Sequence, residues 1–204
     1  MGDIARRCIS ALGKILRLPL LIPLMLISQT QVIAADTKAW AVNLKIEPGS
    51  LVSNILRLFG IKEFRNLYYF RLMKGGPIIK ALLCILKIIY PGRQDLLIDP
   101  SCRIGGGLFI QHGYSTIIMG DMGKNCWVNQ QVTIGYKDAE SARPRLGDDV
   151  KVFAGAKIIG EVVVGNNVKI GANAVVVKDV PDNCTVAGVP ARIVRLNGKM
   201  TNEH

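Results

Sequence analysis

Residues 146–176 read LGDDVKVFAGAKIIGEVVVGNNVKIGANAVV, a run in which Leu146, Val152, Ile158, Val164, Ile170 and Val176 recur every six residues. The same period extends backward through Glu140, Ile134, Val128, Met122, Thr116, Ile110 and Ile104 to Ile98. Twelve of these fourteen positions are Ile, Leu, Val or Met, types that fill about a third of the chain, so chance placement does not account for the series. Six is neither the 3.6-residue period of a helix nor the two-residue period of an alternating strand. Small or turn-forming residues follow the apolar position (Gly105, Gly123, Asn129, Gly135, Gly147, Gly165, Gly171), and small or β-branched residues lie four after it (Cys126, Val132, Val150, Ala156, Val168, Ala174). An extended chain that turns every six residues and buries one aliphatic per turn builds a parallel β-helix with three flat faces. Three hexapeptides close one coil, so residues 98–181 supply about 4.7 coils spaced roughly 4.8 Å apart. Residues 136–145 (YKDAESARPR) break the apolar pattern but keep its register, which predicts a loop projecting from the prism.

Outside this series the 204-residue chain changes character. Residues 1–95 hold 14 basic and 5 acidic residues, against 12 and 10 in residues 96–204, so most of the +11 net charge belongs to the first half. Half of all residues are hydrophobic and a fifth charged, which excludes intrinsic disorder. The first half reads as helices: Pro48-Gly49-Ser50 breaks the chain and caps 51–59, Phe64, Leu67, Tyr68, Arg71 and Leu72 recur at helical spacing in 62–74, and 78–90 is apolar apart from Lys80 and Lys87. Gly75-Gly76-Pro77 and Pro91-Gly92 punctuate them. Residues 1–27 run from basic Arg6, Arg7, Lys14 and Arg17 into the apolar stretch 18–27, and Val32-Ile33-Ala34 imitates a cleavage site, so the segment resembles a secretory signal, with a membrane-surface segment as the alternative. The apolar stretch is too short to span a bilayer and is interrupted by Pro19 and Pro23. The expected organisation is a basic helical region 1–95, which either packs as a cap or docks on an anionic membrane face, a β-helix over 96–196, and a flexible tail 197–204. No nucleic-acid recognition motif accompanies the basic charge.

Cys8, Cys84, Cys102, Cys126 and Cys184 form no CxxC pair and no even framework, so they read as reduced, small hydrophobes of a cytoplasmic protein. His112 and the terminal His204 are the only histidines, which leaves no metal-ligand cluster and excludes a three-His zinc site of the carbonic anhydrase kind.

The stretches IDPSCRIGGGLFIQHG (98–113), NCWVNQQVTIG (125–135) and KDVPDNCTVAGVPAR (178–192) make the chain resemble the hexapeptide-repeat acyltransferases, above all the serine acetyltransferases and their relatives that acetylate capsular saccharides. That resemblance implies a mainly β fold, a left-handed parallel β-helix behind an N-terminal helical region. It also implies a homotrimer with sites between subunits and acetyl-coenzyme A as donor. Transfer of acetyl to a hydroxyl needs a base, and an imidazole suits that task near neutral pH. His112 falls at the family's catalytic histidine. The Asp that orients it in serine acetyltransferases is replaced by Leu97, which leaves Asp99, two residues on, or a backbone carbonyl in that role. The family's Asp before the histidine is here Gln111, and the loop arginine is Ala142 with Arg143 beside it. Gln111 and Arg143 therefore line the expected acceptor pocket, and the loss of an anionic partner for an ammonium group favours a saccharide hydroxyl, with serine as the alternative. The resemblance places coenzyme A at Ala154, Ala172, Val177 and Lys178, with Arg192 on a phosphate. A non-catalytic β-helix scaffold is the reading outside enzymology.

Overall fold

The computed structural model describes residues 13, 17–25, 30–138 and 142–201, and the chain divides into two compact units, Met1–Gly92 and Arg93–His204. In the first unit a 3-10 turn, Leu18–Leu21, and one helical turn, Ile22–Met25, precede four helices: α1 (Thr30–Asn43), α2 (Leu51–Leu58), α3 (Lys62–Leu72) and α4 (Pro77–Ile89). The expected breakers act where the sequence puts them. Ser50 caps α2, its hydroxyl accepting from Ser53 N at 3.2 Å, and Pro77 opens α4 at a position where its missing N–H costs nothing. Arg6, Arg7 and Lys14, which begin the signal-like stretch, lie outside the described residues. The residues that imitate a cleavage site fall inside α1, and Ile33 among them is buried. No helix among the described residues is long and apolar enough to cross a membrane.

Aromatic rings form the core of this unit. Trp40 meets Phe64 edge-on at 5.3 Å between centroids, and Phe59 meets Tyr68 at 4.9 Å, the geometry that ring quadrupoles favour. The Tyr68 hydroxyl donates to Leu20 O at 2.7 Å, and burial pushes its phenol pKa above the ordinary value. Arg71, one of the helical-spacing residues of α3, is not on a solvated face. Its Nε donates to Asp36 Oδ2 at 2.8 Å and an Nη to Oδ1 at 3.2 Å, with the two side chains only 4% and 3% exposed. Removing one member of such a pair strands the other in low dielectric, so Asp36→Ala is expected to destabilise the protein by about 3–5 kcal/mol. Chemical denaturation checks this, and a loss under about 1 kcal/mol would contradict the pair's burial.

The second unit is a parallel β-helix. One sheet runs β1 (Leu96–Ile98), β3 (Thr116–Ile118), β6 (Thr133–Gly135), β9 (Lys157–Ile159) and β12 (Val175–Val176). A second runs β4 (Asp121–Met122), β7 (Arg145–Leu146) and β10 (Val163–Val164), extended by the bridges Ile104 to Met122 and Val164 to Val180. The third runs β2 (Phe109–Ile110), β5 (Trp127–Val128), β8 (Lys151–Val152), β11 (Lys169–Ile170) and β13 (Cys184–Ala187). From β13 the chain doubles back antiparallel as β14 (Arg192–Leu196) and β15 (Lys199–Met200), so the segment expected as a tail from residue 197 opens with a turn, Asn197-Gly198, and a short strand.

The six-residue series holds with two exceptions, both informative. Ile98 pairs with Ile118 rather than with Thr116, which instead lies beside Leu96. Leu146 stacks on Met122, not on Val128, because the excursion from Ile134 to Leu146 takes twelve residues where one side of the coil needs six. That excursion consumes one extra hexapeptide, which is why the apolar register survives it. Glu140 lies outside the described residues.

At one corner Gly105, Gly123, Gly147 and Gly165 stack directly, and a Cβ on Gly123 would sit 2.6 Å from the Gly147 carbonyl carbon. Beside them Asp148, Asn166 and Asp182 each accept a backbone N–H from the neighbouring coil, at 2.6, 2.8 and 2.7 Å. Gly123→Ala forces two coils apart and is expected to cost about 1–3 kcal/mol, read as a lower denaturation midpoint.

Cys102, Cys126 and Cys184 are buried and in no disulfide, whereas Cys84, also in no disulfide, is exposed; Cys8 is outside the described residues. Burial pushes Cys102 up to about 11 and Cys126 up to about 12. Brief alkylation of the native protein should modify Cys84 and spare those two until denaturant is added. Native labelling of Cys126 at the rate of Cys84 would contradict this.

Candidate functional site

The corner between the third and first sheets is a column of turns held by backbone hydrogen bonds. Asn173 N donates to Ala154 O at 2.9 Å, Gly155 N to Gln130 O at 3.0 Å and Gln131 N to Tyr114 O at 3.0 Å. Each turn needs a left-handed residue, and Asn173, Gly155, Gln131 and Ser115 supply one with φ of 56°, 74°, 58° and 49°. Ala154 and Ala172 therefore occupy successive steps of one edge, as their spacing implies, and the lowest step belongs to the segment carrying His112.

That lowest step is longer than the others. Gln111 N donates to Val128 O at 2.8 Å just as Asn129 N donates to Val152 O at 3.0 Å, so Gln111 and Asn129 are equivalent. Tyr114 in turn matches Gln130, which directly follows Asn129. His112 and Gly113 are thus two residues more than the coil requires, and they bulge outward. His112 is exposed, with φ of 53°, in a left-handed conformation that His adopts more readily than most residues. The chain recovers its register on the next side, where Ile118 to Met122 takes four residues against six from Ile98 to Ile104.

The surroundings of the bulge are polar at the turn and aromatic on the adjoining third sheet. Phe109 and Trp127 meet edge-on at 4.8 Å, Lys151 Nζ stands 5.5 Å from the Trp127 ring, and Trp127 Nε1 donates to Asn129 Oδ1 at 2.5 Å. Beneath the bulge Asp95 accepts from Ser115 N at 3.3 Å through its carboxylate and from Thr116 N at 3.0 Å through its carbonyl. Arg93 grips that carboxylate at 2.8 and 3.1 Å, which holds Asp95 below the usual carboxylate range, and its guanidinium lies 5.7 Å from the Tyr114 ring. Sequence reasoning passed over this clamp. Its only signal is the Arg93-x-Asp95 spacing, which puts both side chains on one side of an extended segment.

Asp99 is not where the expected orienting role needs it. It lies past the end of β1, its N–H on Ile118 O at 2.9 Å, whereas His112 precedes the start of β3. Its Oδ1 accepts from Ser101 N at 2.7 Å and Ser101 Oγ at 2.5 Å, and the Ser101 hydroxyl chiefly, with Arg143 adding, keeps its pKa low. Asp99 serves instead as a turn residue, because a short-range hydrogen bond two residues away needs no displacement of the strand. Arg143 is likewise apart from Gln111 within one chain: its Nη1 donates to Ser101 Oγ at 2.9 Å, in a cleft it shares with Arg103, Asp121 and Arg145. Val177 and Lys178, both exposed, follow β12, at the end opposite to Ala172, and exposed Arg192 sits across from Ala187 in the terminal hairpin. Among the described residues no group of three or more His, Cys, Asp or Glu is placed to hold a metal ion.

The bacterial transferase hexapeptide family (six repeats) matches residues 143–178. The chain is similar to the serine acetyltransferase of Synechococcus elongatus, 40% identical over 126 residues that make 60% of this chain and 50% of that protein. It spans about half the length of the curated relatives it matches. Among solved structures, the serine acetyltransferase of Neisseria gonorrhoeae superposes with a TM-score of 0.65 at 29% identity, over 85% of this chain and 68% of that one. A serine acetyltransferase in complex with CoA gives 0.63 at 32% identity, over 80% and 68%. The names of these relatives refer to serine and CoA, and none of the three refers to a saccharide or a membrane. With its three-sided prism of six-residue turns, its outward bulge at His112 and these likenesses, the chain belongs to the serine acetyltransferase family of hexapeptide-repeat acyltransferases, whose left-handed parallel β-helix is its second unit.

Proposed function

We propose that the protein transfers the acetyl group of acetyl-coenzyme A to the hydroxyl of serine, with His112 as the general base. The observation that carries this is the placement of His112 on a two-residue bulge at the foot of the turn column whose upper steps are Ala154 and Ala172. A thioester arm lying along that column would meet small side chains and end beside the imidazole. The hydroxyl oxygen attacks the thioester carbonyl carbon while the imidazole takes the hydroxyl proton. The tetrahedral intermediate then collapses, the carbon–sulfur bond breaks, and the imidazolium returns the proton to the departing thiolate. The O-acetyl product and free coenzyme A balance the reaction. No metal or redox partner enters it.

Serine is preferred to the saccharide expected from Gln111 because the relatives that the chain matches are serine acetyltransferases. One observation supports the second reading: Gln111, uncharged, adjoins His112 where a serine ammonium would favour a carboxylate. We place the working site between copies of the chain in a homotrimer. The outward residues Leu97 and Ile117 are register partners on the first sheet, and both stay exposed in a single chain, 44% and 37%. Such a pair is suited to packing against another subunit. Ala154, Ala172, Val177, Lys178 and Arg192 remain the proposed coenzyme A contacts.

The test is release of free coenzyme A from acetyl-coenzyme A, with L-serine and a panel of sugars as rival acceptors. Turnover with L-serine is expected, and His112→Ala should lower kcat by about 10²–10⁴-fold. Undiminished turnover would remove His112 from the mechanism, and release with sugars alone would transfer the assignment to a saccharide acceptor. Stabilisation of the folded protein by coenzyme A is expected in a thermal shift; its absence would favour a scaffold.

A further inference from the structure

The turn column that carries His112 ends at Ser115. In the three steps above it the left-handed residue donates its N–H to a carbonyl one coil below: Asn173 to Ala154, Gly155 to Gln130 and Gln131 to Tyr114, at 2.9, 3.0 and 3.0 Å. Ser115 is the fourth such residue, with φ of 49°. β2 is the outermost strand of the third sheet and β1 of the first, so among the described residues no coil lies beneath Ser115 to supply the carbonyl. A turn that returns this N–H to water loses the bond that fixes it, and it opens more readily than the steps above.

Asp95 supplies the acceptor from its side chain. Leu96 is the register partner of Thr116, so Asp95 lies beneath Ser115. Its Oδ2 accepts the Ser115 N–H at 3.3 Å while its own carbonyl accepts the Thr116 N–H at 3.0 Å. A side-chain oxygen thus pairs an otherwise orphaned N–H, as a capping residue does at the start of a helix. The carboxylate must be turned one way to do this, and Arg93 turns it, Nε donating to Oδ1 at 2.8 Å and Nη2 to Oδ2 at 3.1 Å as a planar fork. The same guanidinium lies 5.7 Å from the centre of the Tyr114 ring, and Tyr114 N donates to His112 O at 2.5 Å. The hold therefore runs from Arg93 through Asp95, Ser115 and Tyr114 to the backbone of His112.

A base acts only when its ring is aimed at the proton it takes, and a misplacement of about 1 Å can cost 10²-fold in rate. Asp95, Leu97 and Asp99 share one side of the extended run that enters β1. Leu97 is apolar, and Asp99, at the far end of the strand, serves Ser101. Asp95 is the one at the corner of His112. We propose that Asp95, turned by Arg93, is a positioning residue for the His112 imidazole: it caps the lowest step of the turn column and so fixes the bulge on which the imidazole is presented. The proposal rests on the acetyl-transfer reading for the reaction that His112 serves, whereas the cap itself is a property of the fold.

The test follows the Ser115 amide and turnover together in the full-length protein. Asp95→Ala is expected to speed hydrogen exchange at Ser115 several-fold and to leave the Gln131 and Gly155 amides unchanged. It should lower kcat at least tenfold while the KM for acetyl-coenzyme A stays within twofold. Asp95→Asn keeps an oxygen that accepts the Ser115 N–H and should recover most of that kcat, and Arg93→Gln, which releases the carboxylate, should fall between the two. Wild-type kcat in Asp95→Ala, or no recovery in Asp95→Asn, would overturn the positioning role. Should Asp95→Ala fail to fold, Arg93→Gln decides alone, and an unchanged kcat there would overturn it too. Absence of wild-type turnover with every acceptor would refute the acetyl-transfer reading instead. Exchange at Ser115 then decides the cap by itself: acceleration in Asp95→Ala supports it, and an unaltered rate overturns it.

Discussion

Everything in the second unit depends on one constraint: each coil must return directly above the last, because its backbone N–H groups donate to carbonyls of the neighbouring coil. A coil that drifts sideways leaves a whole row of polar groups unpaired, at a cost no side chain recovers. The corner built from Gly105, Gly123, Gly147 and Gly165 has no space for even a methyl group, and the Asp148, Asn166 and Asp182 side chains tie the same corner to the next coil. The aliphatic ladders inside follow from that spacing. Val128, Val152 and Ile170 are register partners because the turns beside them are equal in length.

Within so rigid a frame, extra residues can leave the coil only at corners, and only if the register is restored afterwards. The chain does this twice. His112 and Gly113 bulge at one corner, and the shortened passage from Ile118 to Met122 repays their length. The passage after Gly135 uses one whole hexapeptide and returns at Arg145, which itself lines the three-arginine cleft. Both departures carry the polar chemistry of the unit, whereas the regular coils carry its stability. The bulge is fixed from below by Asp95 and Arg93, so its outward residue is presented on a held turn.

Much of this was legible in the residues. The six-residue period names the β-helix, His112 stands out as the one internal imidazole, and Ser50, Gly75-Gly76-Pro77 and Pro91-Gly92 mark helix limits close to those observed. Legibility failed where spacing along the chain ceased to measure spacing across it. Asp99 lies two residues from the position that should orient His112, yet the strand carries it to the other corner, where Ser101 satisfies it. Spacing puts Arg71 on the same stripe as Phe64, Leu67, Tyr68 and Leu72, but the partner that lets its charge be buried there, Asp36, lies 35 residues away. Arg103 and Arg145, far apart in sequence, become neighbours of one acid only after coils are stacked.

By itself, then, the sequence determined the repeating unit: a buried aliphatic, a turn and an extended run, chosen by local sterics and by the period of hydrophobic burial. It also determined that His112 is the one imidazole inside the chain. Only the tertiary structure decided which turns share an edge, which carboxylate meets which cation, and where two surplus residues must bulge. Those are properties of how coils align, and alignment is set by hydrogen bonds between residues that the linear order keeps 16 to 24 positions apart.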